Sequence, residues 1–108
     1  MKKIASILLI FAQMTLFAQV PAIQWQKALG GTLDDLGYCV IQTKDSGYAV
    51  AGFVQSNDGD VTGEHSNYLS PEDFWVAKLD KCGNLQWEKA LGGTGTDEAF
   101  WMIQTSDG

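Results

Sequence analysis

Short apolar runs alternating with turn-forming clusters dominate the chain from residue 20 onward. Tyr38–Ile41, Tyr48–Val54, Phe74–Leu79, Leu85–Leu91 and Phe100–Ile103 are rich in aromatic and β-branched residues, the composition of strands. Between them lie Lys44-Asp45-Ser46-Gly47, Asn57-Asp58-Gly59-Asp60, Asp80-Lys81-Cys82-Gly83-Asn84 and Leu91-Gly92-Gly93-Thr94. In such clusters Gly supplies a positive φ while Asp or Asn bonds back to the bend. No window after residue 19 keeps apolar residues at i, i+3, i+4 and i+7 over a helical length. The pattern therefore predicts an all-β chain with strands over about 36–43, 47–55, 74–80 and 84–91. Tyr48–Val54 and Phe74–Ala77 are apolar at odd and even positions alike, so the sheet is expected to be covered on both faces.

The chain also repeats itself. Gln24-Trp25-Gln26-Lys27-Ala28-Leu29-Gly30-Gly31-Thr32 returns 62 residues later as Gln86-Trp87-Glu88-Lys89-Ala90-Leu91-Gly92-Gly93-Thr94, with eight of nine residues identical. Beyond the nonapeptide, Asp35 recurs as Asp97, Tyr38 as Phe100, Ile41-Gln42-Thr43 as Ile103-Gln104-Thr105 and Asp45 as Asp107. A fixed period of this order points to units that cover their apolar faces with neighbouring copies. Four strands per period is the strand number of a propeller blade, with residues 56–73, including Pro71, as its long loop. The expected fold is thus antiparallel four-stranded blade-like repeats of a β-propeller, about one and a half blades over 19–108, the chain stopping within its second copy. Ile23–Leu29 matches the fourth strand of the unit and would complete the last blade of a ring.

Residues 1–18 change the compartment. Basic Lys2 and Lys3, an apolar run from Ile4 to Phe17 and the small Ala18 form an export signal, with cleavage expected after Ala18. Ser6, Gln13 and Thr15 interrupt the run, which is short of the roughly 20 apolar residues of a membrane span. A secreted or cell-surface location follows, with no membrane span after cleavage and an uncleaved anchor as the alternative. The formal charge of −6 becomes −8 when Lys2 and Lys3 leave, and the five remaining lysines are dispersed. An acidic surface of this kind argues against nucleic acid as a partner.

Candidate chemistry is sparse. Cys39 in an apolar run reads as a buried thiol; a bridge to Cys82 in its turn-like cluster, or to another cysteine, is the alternative in an exported chain. His65 is the only histidine, so no histidine-based metal cage can be assembled. Residues that recur at the repeat offset are better explained by architecture than by a reaction centre, which needs one unsymmetrical constellation. Trp25 and Trp87, with Trp75 and Trp101, are read as packing residues, with sugar stacking as the lesser reading for the first pair. Asp35 and Asp97 are read as turn acceptors, and no catalytic residue is assigned. The loop Ser56–Glu64 offers the one metal candidate. Asn57, Asp58 and Asp60 around Gly59 could wrap Ca²⁺, against the plainer reading of a solvated turn.

Thr43–Gly52, Asn57–Val61, Asp73–Asp80 and Gly83–Trp87 resemble repeats of large secreted Bacteroidetes-type proteins. That resemblance implies propeller-like regions in a bacterial protein, often followed by a sorting domain for type IX secretion. Ser46 stands where a second Gly is usual, and His65–Ser70 makes the loop longer than the common one. More distantly, Leu79-Asp80-Lys81-Cys82-Gly83-Asn84-Leu85-Gln86-Trp87 is similar to the pattern that docks blades in quinoprotein-type propellers. The function expected is a non-enzymatic scaffold or binding module for cell-surface attachment, glycans or surface proteins, partnered by further repeats of its own chain. The alternative is the N-terminal propeller part of a secreted hydrolase or quinone-dependent oxidoreductase whose catalytic residues lie elsewhere.

Overall fold

The computed structural model of the chain describes residues 19–65 and 72–108. The expected export signal, the Ser66–Ser70 part of the long loop and Pro71 lie outside the described residues. Four strands, β1 (Asp35–Gln42), β2 (Tyr48–Val54), β3 (Asp73–Leu79) and β4 (Leu85–Leu91), form one antiparallel sheet in the order β1-β2-β3-β4. No helix occurs among the described residues. Each strand falls within a residue or two of its sequence-predicted span, because apolar composition and bounding turns agree at every boundary.

Two predicted strands do not form. Ile23–Leu29 and Phe100–Ile103 carry no strand. Ile23–Leu29 matches β4, which needs a β3 beside it; the one β3 here already pairs with β2 on one side and β4 on the other. Phe100–Ile103 matches β1, which needs a β2 beside it; the one β2 here already pairs with β1 on one side and β3 on the other. Both segments instead lie across the faces of the sheet.

Side chains alternate between the faces. Tyr48, Val50, Val54, Trp75, Ala77, Leu79 and Ala90 share the first face; Val54, Val61, Trp75, Ala77 and Ala90 form its buried core, with Leu29 and Leu85 packed against it. The second face carries Ala49, Ala51 and Phe53 from β2, Val76 and Lys78 from β3, and Trp87 from β4. Tyr38 stacks between Phe53 and Phe100 there, at ring-centroid distances of 5.9 and 4.9 Å. Gly52 sits where the pairing register of β1 shifts between Gly37 and Cys39. A Cβ at Gly52 would stand 1.8 Å from the Leu36 carbonyl oxygen, so only Gly admits this approach.

The hairpin turns are closed by carboxylates. Between β1 and β2, Thr43 N donates to Gly47 O (2.9 Å) and Ser46 N to Thr43 O (2.9 Å). Asp45 Oδ1 accepts from Thr43 Oγ1 (2.5 Å) and Gly47 N (3.0 Å). Ser46 adopts φ 65°, the left-handed region. Because a side chain in that region costs about 1 kcal/mol, Ser46→Gly is expected to raise stability by about 0.5–1 kcal/mol. Chemical denaturation should show a higher midpoint at unchanged slope. Between β3 and β4, Asp80 Oδ1 accepts from Cys82 N (2.8 Å) and Asn84 N (2.9 Å), while Asn84 Nδ2 donates to Oδ2 (2.9 Å).

Candidate functional site

The leading segment is bound to the first face at both ends. Trp25 meets Tyr48 edge to face, with centroids 5.3 Å apart, and its indole N–H donates to Lys81 O at 3.1 Å. Its ring packs against Gly83, whose φ of 84° suits the turn and where a Cβ would stand 2.5 Å from the nearest indole carbon. Gln24, Gln26 and Ala28 point to solvent, whereas Trp25 and Leu29 are half-buried against the sheet. Trp25, Lys27 and Leu29 with Val40, Val50 and Leu79 wall a groove of about 290 Å³. One strip of chain therefore covers this face without filling it.

The Gly30-Gly31-Thr32 turn is where the candidate calcium loop is used. Asp58 Oδ1 accepts from Thr32 N (2.8 Å) and Oδ2 from Thr32 Oγ1 (2.9 Å). Asp60 N donates to Gly30 O (3.0 Å). Asn57 and Asp58 are exposed and Asp60 is half-buried. The loop thus clamps the leading segment through Asp58, whose two oxygens are both engaged, and through the Asp60 backbone. Among the described residues no group of three or more His, Cys, Asp and Glu side chains is arranged to hold a metal ion. Asp35 completes the clamp: Oδ2 accepts from Gly31 N (2.7 Å) and Ser56 Oγ (2.7 Å), and Oδ1 from Gln55 N and Ser56 N (3.2 Å each). Asp35 acts as a hub of backbone hydrogen bonds, the turn-acceptor role read from sequence, while the Asp58 carboxylate holds Thr32.

The second face is covered by the C-terminal segment. Asp97 N donates to Glu72 O (2.9 Å), Ala99 N to Gly52 O (3.3 Å) and Lys44 N to Gln104 Oε1 (2.9 Å), while Lys44 Nζ donates to Ser106 O. The buried Cys39 thiol lies 3.9 Å from Met102 O. Both cysteines are free, Cys39 buried and Cys82 exposed, and no bridge joins them. Trp101, expected to pack, is instead 79 % exposed. Its neighbours Phe100 and Met102 make the contacts with the sheet, and strand-like alternation turns Trp101 outward.

The bonds recur at the repeat offset. Gly93 N donates to Asp97 Oδ2 (3.0 Å) as Gly31 N does to Asp35 Oδ2 (2.7 Å). Thr105 Oγ1 donates to Asp107 Oδ1 (2.6 Å) as Thr43 Oγ1 does to Asp45. Gly108 N donates to Thr105 O (3.1 Å) as Ser46 N does to Thr43 O (2.9 Å). No family model matches this chain, and no curated protein or solved structure does either.

Sequence reasoning missed one unsymmetrical cluster. Asp73, fully buried at the start of β3, accepts from His65 N (2.6 Å) and faces His65 Nδ1 at 3.0 Å through Oδ2. Its Oδ1 has no hydrogen-bond partner among the described residues. Nearby, Glu88 joins the loop to the core, with Oε1 accepting from Thr62 Oγ1 (2.6 Å) and Oε2 from Trp75 Nε1 (2.8 Å). The available signal was Glu88 itself, the one position of the nonapeptide that differs between copies. This arrangement orients an imidazole and ties β3, β4 and the loop together. No Ser, Thr or Cys among the described residues bonds the imidazole as a nucleophile would.

Charge placement predicts an acid response. The Lys78 ammonium, 2.8 Å from Asp45 Oδ2, with the Thr43 hydroxyl and the Gly47 N–H, holds the Asp45 carboxyl well below the usual carboxylate range. The Asn84 side chain and turn amides lower Asp80, and the Thr105 hydroxyl lowers Asp107. A folded-state pKa below the unfolded value stabilises the fold above the ordinary carboxylate range and loses that contribution as pH falls toward the folded value. Melting temperature is accordingly expected to fall below about pH 4. Asp45→Asn should flatten part of that slope, measured by melting curves from neutral to strongly acid pH.

Proposed function

We propose that this chain is an exported, non-enzymatic repeat module, its sheet one blade of a propeller-like stack that offers a scaffold or binding surface to glycans or cell-surface proteins. The observation that carries this reading is the recurrence of the same hydrogen bonds, Gly31 to Asp35 and Gly93 to Asp97, at the spacing of the sequence repeat. Structures that repeat a turn at a fixed period do so because each unit leans on the next. Coverage of both faces supports it further: the leading segment, alike to β4, lies on the first face, and residues 97–108, alike to the start of the unit, lie on the second.

Alternation within the end segments agrees with stacked sheets. Trp25, Lys27 and Leu29 correspond by the repeat to Trp87, Lys89 and Leu91 of β4. Trp87 lies on the second face and Trp25 packs on the first, as they would if the second face of each unit met the first face of the next. The repeated carboxylates are bound to backbone amides, which leaves the binding role to exposed aromatic surface such as Trp101. Binding of the exported chain to a polysaccharide array and to cell surfaces tests the reading. Saturable binding that weakens on Trp101→Ala supports it. Turnover of a hydrolase or quinone-reductase substrate by this chain would overturn it in favour of an enzyme.

A further inference from the structure

Trp25 and Trp87 hold equivalent positions of the repeat on opposite faces of the sheet. The leading segment places Trp25 on Tyr48 and Gly83, and Leu29 on the buried cluster of the first face. β4 carries the same residues at the same spacing on the second face, where Trp87 is 53 % and Leu91 41 % exposed. The groove beside Trp25 is open on its apolar flank, because a single strip stands where a sheet would stand. A matching groove of about 350 Å³ runs between residues 102–108 and Ile41, Val76 and Trp87 on the second face.

From this we infer that the second face of one copy of this chain docks on the first face of another, with Trp87, Lys89 and Leu91 taking the places of Trp25, Lys27 and Leu29. The inference rests on the stacked-repeat reading above and names a second copy of the chain as the partner. Identical residues at identical spacing make β4 of a neighbour a direct competitor for the leading segment. Residues 97–108 yield in the same way to residues 35–46 of the second copy, whose Tyr38, Ile41-Gln42-Thr43 and Asp45 they mirror. A full sheet then fills both grooves, burying exposed Val40, Trp87 and Leu91 that a strip leaves in water. Because different faces meet, the contact is head to tail and propagates to short stacks or closes into a ring; it does not stop at a symmetric pair.

The two tryptophans give the test, since they act in opposite directions. Trp25 holds the internal cover in place, whereas Trp87 serves only the contact between copies. The chain recovered after export is examined by sedimentation velocity across concentrations up to about 100 μM. The expected result is a concentration-dependent ladder of oligomers, with Trp87→Ala weakening association by about tenfold or more and Trp25→Ala strengthening it. Non-specific apolar aggregation would move both variants the same way, and that outcome overturns the proposal, as does a chain monomeric throughout the range. Trp87→Lys, at a half-exposed site, guards against a folding artefact: its circular dichroism should match the parent while association is lost. If the parent is monomeric yet Trp25 fluorescence still reports a packed indole, the docking fails while the stacked-repeat reading survives.

Discussion

Replacing Trp75 with Ala is expected to lower stability by about 3–5 kcal/mol, which for a sheet this small leaves most molecules unfolded. Trp75 is 3 % exposed, on a central strand, opposite Gly52 of β2 and Ala90 of β4. Those small neighbours make the space its ring fills, so truncation opens a cavity that the flanking strands cannot close. The loss does not stop at the cavity. The indole N–H donates to Glu88, whose other oxygen holds Thr62 of the long loop, and without the ring a partly buried carboxylate oxygen loses its donor. Trp75→Phe keeps most of the apolar area and removes only the N–H, so it should cost far less. Urea unfolding followed by far-ultraviolet circular dichroism measures both. A Trp75→Ala loss below about 1 kcal/mol would mean that the first-face core is not where the stability lies.

Asp35→Ala is the second large effect, at about 3 kcal/mol. One carboxylate there satisfies Gly31 N, Ser56 Oγ, Gln55 N and Ser56 N, tying the leading segment, the start of β1 and the end of β2 into one joint. Removing it strands several donors at once, and Ser56 is fully buried, so water does not readily replace the lost acceptor. Asp97, its counterpart, accepts from Gly93 N alone among the described hydrogen bonds of its carboxylate, so Asp97→Ala should cost much less. Amide hydrogen exchange at Gly31 and Ser56 should accelerate sharply in Asp35→Ala and remain near the parent rate in Asp97→Ala. Equal effects would break the link between the number of bonds and the role of the position.

The strands were legible in the sequence because three signals coincide at each of them. Tyr48–Val54 is dense in β-branched and aromatic residues, bounded by Ser46-Gly47 and by the Asn57–Asp60 turn, and β2 occupies that run residue for residue. Ile23–Leu29 and Phe100–Ile103 match β4 and β1 yet form no strand, because the β3 and β2 they would pair with are already bonded on both sides, which composition does not register. The unbroken apolar run of β2 foretells its cover on both faces, whereas β3 alternates buried first-face residues with half-buried Phe74, Val76 and Lys78 on the second. What covers those faces was not legible, since it depends on which distant segment finds them.

Site residues were readable only where a role repeats. Asp35 was identified as a turn acceptor from its recurrence as Asp97, and its bonds to Gly31 and Ser56 are of that kind. Asn57, Asp58 and Asp60 suggest a cation loop by composition; in the fold the Asp58 carboxylate meets Thr32, from the segment before β1. That contact spans two elements and leaves no local trace. The His65–Asp73 pair is likewise invisible in sequence, because burial of Asp73 is decided by the loop and sheet closing over it.

Segments alike to β4 and to the start of the unit cover opposite faces of one sheet. Nuclear Overhauser contacts in the exported chain test this most directly. Contacts from the Trp25 indole to Gly83 and Tyr48, together with contacts from Phe100 to Tyr38 on the other side, are the predicted result. Both segments found on one face, or Trp25 and Phe100 without contact to the sheet, would contradict it.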